Sequence, residues 1–306
     1  MTALAAVLAL AAQGGIASRY PDDAGIAKDP DVLFAEDFEG WETGTATFPE
    51  GTWDSPPDRE PGSRVRKAVQ GRVTVGGREV PGKNVLLLAC WKGGAKSASF
   101  TKLLGNYRSA NDGKGPGHED VYVRYYVKFD PAYAPVQNHG ANLGGRDVTR
   151  PGSWWVGQAA SRDVAGNGYF YSGLQPYPEG PDRMYWGFYS YHMDKKGLYG
   201  ENYRPADSEK KRIEVDRWTC VERRMKLNSV GQADGLEELW VDGEPVLRRE
   251  GLRFRRVPEL RISVFTLDVY YHGLPERYTE ANPCKVTFDH LVIAASRIGP
   301  IAPGKP

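Results

Sequence analysis

Alternation of apolar and polar residues with a period of two is the dominant pattern along this chain. Its clearest instance runs over residues 121–129, VYVRYYVKF. One face of this run is apolar, and the other carries Tyr122, Arg124, Tyr126 and Lys128. A period of two is typical of a β-strand, because successive side chains point to opposite faces of a sheet. The run therefore predicts a strand with one side against a core and an aromatic, cationic side facing a wetter environment.

Further runs of the same kind predict more strands, and no segment shows a 3.6-residue apolar period of helical length. These runs lie at 85–91, 97–104, 154–160, 168–174, 183–192, 218–227, 236–241, 259–267 and 285–294. The pair Asp242-Gly243 favours a two-residue hairpin turn, and segments 50–70 and 105–119 are typical of long surface loops. We predict an all-β fold, a β-jelly roll or concanavalin A-like sandwich of two antiparallel sheets.

Composition agrees with this fold class. The chain holds 36 Gly and 22 Pro in 306 residues, as expected where many short strands are joined by tight turns. We expect a single β-sandwich domain over residues 19–298, acting as a monomer, and a disordered tail over residues 299–306. The net charge of +1 and the lack of a basic stripe argue against nucleic acid as a partner. Attraction for an acidic ligand must come from a local cluster of Arg and Lys.

Residues 1–18 hold an apolar run followed by small residues. This is typical of a signal peptide or its remnant, although no positively charged segment precedes the run. The run is too short to span a bilayer, so we expect a secreted or periplasmic protein with no membrane partner. The alternative is a frayed apolar N-terminus or a buried first element.

The three cysteines, Cys90, Cys220 and Cys284, each lie in an apolar or alternating run. None is spaced as CxxC, which argues against a zinc site. The sequence leaves two alternatives open: three buried thiols, or one disulfide with an odd thiol.

The segment 189–200, YSYHMDKKGLYG, holds three tyrosines, one histidine and two lysines. Phenols beside cations are the groups a site needs to hold an acidic sugar and to move a proton at carbon. This segment therefore indicates an enzyme that cleaves an anionic polysaccharide.

Several motifs between residues 120 and 295 resemble one family of such enzymes. They are residues 122–129, Asn142-Leu-Gly-Gly, Tyr189-Ser-Tyr-His with Tyr199-Gly, 217–228, 232–236, 239–243 and 288–294. On these motifs the chain resembles the jelly-roll polysaccharide lyases, the alginate- and glucuronan-cleaving type assigned to families fourteen and twenty. The motifs after residue 216 are mainly signatures of the fold. The resemblance implies β-elimination on a uronic-acid polymer, with no cofactor required.

The chain departs from the family pattern at two places. Such lyases often carry Lys-Leu-Pro-Gly before the Gly-Gly turn, where this chain has Gln137-Asn-His-Gly. After Trp155 they often place a basic residue, where this chain has Gln158. An amide can still donate a hydrogen bond to a carboxylate, but the identity of the uronic acid does not follow from the resemblance.

Three residues are the candidates for catalysis. Arg124 would clamp the sugar carboxylate, because a guanidinium fork matches a carboxylate and keeps its charge. His139, in a polar turn, would be the base or neutralising group. Tyr191 would be the general acid, and also a candidate base, with nearby cations such as Arg124 or Lys195 lowering the pKa of its phenol. Each has a structural alternative: a surface ion pair, a turn histidine and a packing tyrosine.

Other residues would bind the substrate without reacting. Asn138 and Gln158 would hydrogen-bond carboxylate or hydroxyl groups, and Tyr189 and Lys195 would accompany Tyr191. Trp155 and Tyr199 would stack on sugar rings, although buried tryptophans are common in sandwiches. His192 is expected to point to the opposite face from Tyr191.

Acidic residues near the first and last strands allow a structural calcium site. Glu36, Asp37 and Asp289 carry the hard oxygen ligands that calcium prefers. Solvated acids without a metal are the alternative.

Two other functional classes stay open at this stage. A non-catalytic carbohydrate-binding module would keep the sandwich and the aromatic face without needing clustered Tyr, His and Arg. A glycoside hydrolase would need two carboxylates about 5–9.5 Å apart across a cleft, and no strand of the ExDxE kind supplies them.

Overall fold

The computed structural model describes most of the chain as two stacked antiparallel sheets. The described residues are 14–45, 49–54, 65–93, 97–133, 140–148, 165–166, 168–180, 183–204, 212–270 and 273–304. Helical structure in this part is limited to three short 3-10 helices at Ile16–Arg19, Pro21–Asp23 and Ile26–Lys28. No helix in these ranges is long and apolar enough to cross a membrane.

The larger sheet has eight strands, and its order is β14-β13-β12-β7-β16-β5-β2, with β1 also paired to β16. Its strands are β1 (Val32–Glu36), β2 (Val65–Gln70), β5 (Asn84–Cys90), β7 (Asp120–Phe129), β12 (Thr219–Lys226), β13 (Gly235–Val241), β14 (Glu244–Leu252) and β16 (Cys284–Ala294).

The smaller sheet has six strands in the order β11-β10-β9-β8-β15-β6. Its strands are β6 (Ser97–Leu103), β8 (Ala141–Arg146), β9 (Tyr169–Glu179), β10 (Arg183–Tyr191), β11 (Glu201–Tyr203) and β15 (Val264–Tyr270). A separate short hairpin pairs β3 (Thr74–Val75) with β4 (Arg78–Glu79).

One apolar core lies between the two sheets. Val121, Val123 and Val127 of β7 contribute to it from the larger sheet, and Leu174 of β9 and Phe188 of β10 contribute from the smaller one. Side chains in a strand alternate between faces, so the apolar positions of both sheets meet in this layer. The predicted all-β sandwich is confirmed.

The hairpin predicted from sequence is present. Val241 pairs with Glu244, and Asp242 and Gly243 between them both have positive φ, 51° and 86°. This is the conformation that a two-residue turn requires.

Some elements differ from the prediction. Residues 65–70, expected in a loop, form β2, and the Asn142-Leu-Gly-Gly segment, expected as a turn, lies inside β8. The glycine at 145 is needed there, since a Cβ would lie 2.0 Å from the Arg261 carbonyl oxygen. The predicted strand 154–160 lies outside the described residues.

Both ends of the described chain pack onto the outer side of the larger sheet. Ile16 is buried and donates its N–H to the Arg297 carbonyl at 2.9 Å, so residues 14–18 belong to the fold. Ile301 is buried, and its N–H donates to the Tyr126 hydroxyl at 3.0 Å. The prediction of a disordered tail from residue 299 is therefore wrong for residues 299–304.

Candidate active site

Four tyrosines lie together on the outward side of the smaller sheet. We call this group the tyrosine face: Tyr169 and Tyr171 of β9 with Tyr189 and Tyr191 of β10. The even-numbered neighbours Trp186 and Phe188 enter the core, so alternation directs the odd-numbered tyrosines away from it. Antiparallel pairing places Tyr171 directly opposite Tyr191. The predicted side-by-side placement of Tyr189 and Tyr191 is thus present.

The hydroxyls of Tyr189 and Tyr191 form a hydrogen-bonded pair 3.0 Å apart. The backbone N–H of Gly200 also donates to the Tyr189 hydroxyl, at 3.1 Å. The two rings meet edge to face with centroids 5.5 Å apart, and the Tyr171 ring lies 6.0 Å from that of Tyr191. The loop after β10 therefore fixes the two phenols relative to each other.

The environment of Tyr191 favours its protonated form. Burial, and then the hydrogen bond with Tyr189, raises the pKa of Tyr191 well above its ordinary value. Lys195 does lie beside the ring, with Nζ 5.5 Å from the centroid, but burial outweighs the nearby charge. The predicted lowering of this pKa is wrong. The phenol suits a proton donor better than a base.

Arg146 brings a second positive charge to this side of the sheet. It is the last residue of β8 and lies in register with Tyr169, so the two side chains share a face and their Cβ atoms lie about 4.5–5.5 Å apart. Burial lowers the pKa of Arg146, but a guanidinium stays charged. The sequence reasoning missed this residue because the glycines before it resemble a turn.

Two buried amide side chains lie beside the tyrosines. Asn142 of β8 pairs with Gly173 of β9. Gln175 lies two residues after Gly173 on β9, on the same face of the sheet. A Cβ on Gly173 would lie 2.7 Å from Asn142 Oδ1, so the glycine makes room for this amide. Asn142 Oδ1 and both amide atoms of Gln175 are buried, and none of them lies within ordinary hydrogen-bond geometry of another residue that the structure describes. A sugar hydroxyl or carboxylate is a group that could satisfy them.

Arg124 lies on the opposite side of the molecule, and the predicted clamp role is wrong. Its side chain is 0% exposed and points outward from the larger sheet, beneath the N-terminal segment. It donates to Asp23 Oδ2 at 2.6 Å and to the His290 carbonyl at 2.8 Å. A guanidinium held this way cannot reach a substrate at Tyr191.

The remaining predicted site residues fall into two groups. Lys195 and Tyr199 lie on the loop after β10, where Tyr199 is 61% exposed. Asn138, His139, Trp155 and Gln158 lie outside the described residues.

His192 points away from the tyrosine face, as predicted. It is buried, and its Nε2 lies 2.5 Å from a carboxylate oxygen of Glu201.

The predicted calcium ligands are engaged elsewhere. Both carboxylate oxygens of Glu36 accept N–H groups, from the Phe38 backbone at 2.8 Å and from two tryptophan indoles at 3.1 and 3.2 Å. Asp289 Oδ1 accepts the His290 N–H at 2.7 Å, and Asp37 is exposed. Within the described ranges no group of three His, Cys, Asp or Glu residues is arranged to hold a metal ion, and the calcium site stays a prediction.

All three cysteines are buried thiols. This agrees with the first of the two alternatives left open by the sequence.

Comparison with protein families supports the resemblance inferred from the motifs. Residues 206–291 match the family model described as Polysaccharide lyase 14. This match covers the region from β12 to β16 and does not include the tyrosine face. No curated protein sequence matches the chain.

Solved structures share the fold. The alginate lyase Aly36B is similar with 14% identity and a TM-score of 0.55, covering 87% of this chain and 98% of that one. An alginate lyase of the PL-14 type from Aplysia kurodai gives 14% identity and a TM-score of 0.55, over 86% and 99% of the two chains. A mutant of Aly36B in complex with an alginate tetrasaccharide gives 14% identity and a TM-score of 0.52, over 87% and 98%. At this identity the likeness establishes the architecture.

Proposed function

We propose that this protein is a polysaccharide lyase that cleaves a uronic-acid polymer of the alginate type by β-elimination. One observation carries the proposal: the hydroxyls of Tyr189 and Tyr191 are hydrogen-bonded to each other on an outward sheet face. Lys195 Nζ lies 5.5 Å from the Tyr191 ring centroid, and Arg146 lies on the same face in register with Tyr169. The partial match to Polysaccharide lyase 14 and the fold shared with alginate lyases support the same reaction class. A polysaccharide substrate is found outside the cell, so we propose that the protein is secreted or periplasmic.

The reaction breaks the C5–H bond and the C4–O bond of the uronate and forms a C4–C5 double bond. Arg146 would stabilise the negative charge that develops on the carboxylate as the C5 proton leaves. Preorganised donors of this kind are worth about 10²–10³ in kcat each. The Tyr191 phenol is protonated before the reaction and would donate this proton to the departing glycosidic oxygen. His139 remains the proposed base.

The packing of the tyrosines favours catalysis over simple sugar binding. Tyr169 and Tyr191 are only 8% and 5% exposed, and the Tyr191 ring packs edge to face against Tyr171 and Tyr189 rather than lying open. A carbohydrate-binding module needs exposed flat rings on which a sugar can stack. Hydroxyls directed into a polar site instead suit proton transfer.

A substrate panel tests the proposal. The purified chain is incubated with alginate, glucuronan and carboxyl-reduced alginate, and products are followed by ultraviolet absorbance and mass spectrometry. We expect an absorbing unsaturated product from a uronate polymer and none from the reduced polymer, which has no carboxylate to stabilise an enolate. Saturated products would indicate hydrolysis. Binding without cleavage of any uronate polymer would support a binding module and contradict the proposal.

A further inference from the structure

A charged cluster is buried between the sheets directly behind the tyrosine face. Arg223 of β12 and Glu237 of β13 are both 0% exposed, and Arg223 Nη2 lies 3.7 Å from Glu237 Oε1. The large apolar cluster of the core fills most of this layer. A buried ion pair is usually no more stabilising than apolar residues of similar volume, so stability alone does not explain why the pair lies here.

The pair reaches across the core and holds the strands that carry the tyrosines. Arg223 Nη1 donates to the Ala141 carbonyl of β8 at 3.1 Å and to the Ser172 carbonyl of β9 at 2.9 Å, while Nη2 donates to the Ser172 hydroxyl at 2.7 Å. The Ser190 hydroxyl of β10 donates to the Glu237 carboxylate, 2.8 and 3.0 Å from its two oxygens. Three adjacent strands of the smaller sheet are therefore bound to one ion pair of the larger sheet.

The two serines are immediate neighbours of the tyrosines. Ser190 lies between Tyr189 and Tyr191, Ser172 follows Tyr171, and the serines pair with each other across β9 and β10. Alternation sends the serines inward and the tyrosines outward. A shift of either serine would therefore displace the hydroxyl pair on the other side of the same strands.

The cluster continues to the loop that contacts the phenols. Arg249 Nη1 lies 3.8 Å from Glu237 Oε2, and Arg249 Nη2 donates to Glu201 Oε2 at 2.6 Å. Glu201 also binds His192, so the two ends of loop 193–200 are joined. That loop carries Gly200, which donates its N–H to the Tyr189 hydroxyl at 3.1 Å. The same cluster thus holds both the strands and the loop around the two hydroxyls.

We propose that the buried Arg223–Glu237 pair is a positioning element for catalysis, which fixes the Tyr189–Tyr191 hydroxyl pair through Ser190 and Ser172. This inference rests on the proposed lyase function. The pair does not contact substrate, and its effect is on the geometry of proton transfer rather than on sugar binding.

The test replaces the pair by apolar residues of similar volume, Arg223→Met with Glu237→Leu. The matched control is Arg224→Met with Glu238→Leu. Arg224 and Glu238 form an ion pair at 2.9 Å on the same two strands but on the side facing away from the core. Thermal unfolding, kcat, KM and the pKa of Tyr191, from NMR titration of ring-labelled tyrosine, are measured for both variants and the wild type.

We expect the buried double variant to fold with a lower Tm, because Ser172, Ser190 and Arg249 lose a buried partner. Its kcat should fall tenfold or more while KM stays within twofold, and the pKa of Tyr191 should move toward its ordinary value. The control should keep the kcat, KM and tyrosine pKa of the wild type. Wild-type kcat in the buried variant, or a loss confined to KM, would overturn the inference.

Two further outcomes need their own tests: the buried double variant does not fold, or the wild type is not a lyase. If the buried double variant does not fold, Ser190→Ala decides: a fall in kcat at constant KM supports the inference, and wild-type kinetics overturns it. If the wild type cleaves no uronate polymer, the proposed function fails, and the tyrosine titration still tests the positioning effect. An unchanged Tyr191 pKa in the buried variant would then overturn the inference on its own.

Discussion

Arg124 is where the structure makes its sharpest prediction about stability. The Arg124 side chain is 0% exposed and the Asp23 side chain 5%, with 2.6 Å between Nη2 and Oδ2. Arg124→Ala would leave the Asp23 carboxylate buried, with His290 as its remaining ion-pair partner in the described part of the chain. Removing one partner of a buried pair costs about 3–5 kcal/mol. At about 2–4 °C per kcal/mol, Tm should fall by roughly 10 °C.

Activity should behave differently from stability in this variant. At a temperature where Arg124→Ala is folded, kcat and KM should match the wild type, because Arg124 lies on the opposite side of the sandwich from Tyr191. Arg224→Ala is the comparison, since its pairs are partly exposed and should cost less. Unfolding is followed by circular dichroism and turnover by product absorbance. An Arg124→Ala protein with wild-type Tm but lost turnover would refute this assignment.

Two other predictions concern the site loop and pH. A Cβ on Gly200 would lie 2.8 Å from ring carbons of both Tyr189 and Tyr191, so Gly200→Ala should lower kcat at least tenfold. Gly168→Ala is the control, because a Cβ there would meet nothing within 4 Å, and it should keep the wild-type kcat. Equal kcat values for the two variants would contradict this prediction. Burial raises the pKa of Asp289 to about 7, above about 3.9 in the unfolded chain. The folded state then binds this proton more tightly, so the stability that the group contributes is lost as pH rises from about 4 to 7, by up to about 1.4 kcal/mol per pH unit. In Asp289→Asn the free energy of unfolding, measured by chemical denaturation, should no longer decline over this pH range. If the wild type and Asp289→Asn show the same dependence of unfolding free energy on pH, Asp289 is not the group responsible.

The period-two alternation of the sequence predicted many of the strands and part of the candidate site. The alternation at 121–129 predicted β7 within one residue, and the same rule placed Tyr189 and Tyr191 on one face and His192 on the other. These are local properties of a strand, which the sequence states directly.

The errors arose where distant segments decide the outcome. Alternation correctly predicted that Arg124 points away from the core. It could not show that the N-terminal segment covers this side chain, because the contact joins residues about a hundred positions apart. The Arg146 side chain was missed for a related reason. Its strand is rich in glycine, and only the register with Tyr169 shows which face it shares.

The central claim is that the phenol of Tyr191 donates a proton in β-elimination. Tyr191→Phe removes that proton and the 3.0 Å bond to Tyr189, while Tyr185→Phe alters a buried tyrosine on the same strand and face, stacked on Tyr177. With the polymer identified by the substrate panel, we expect kcat to fall about 10²–10⁴-fold in Tyr191→Phe and to stay near wild type in Tyr185→Phe, with both proteins folded. A folded Tyr191→Phe enzyme that releases unsaturated product at the wild-type rate would contradict the account.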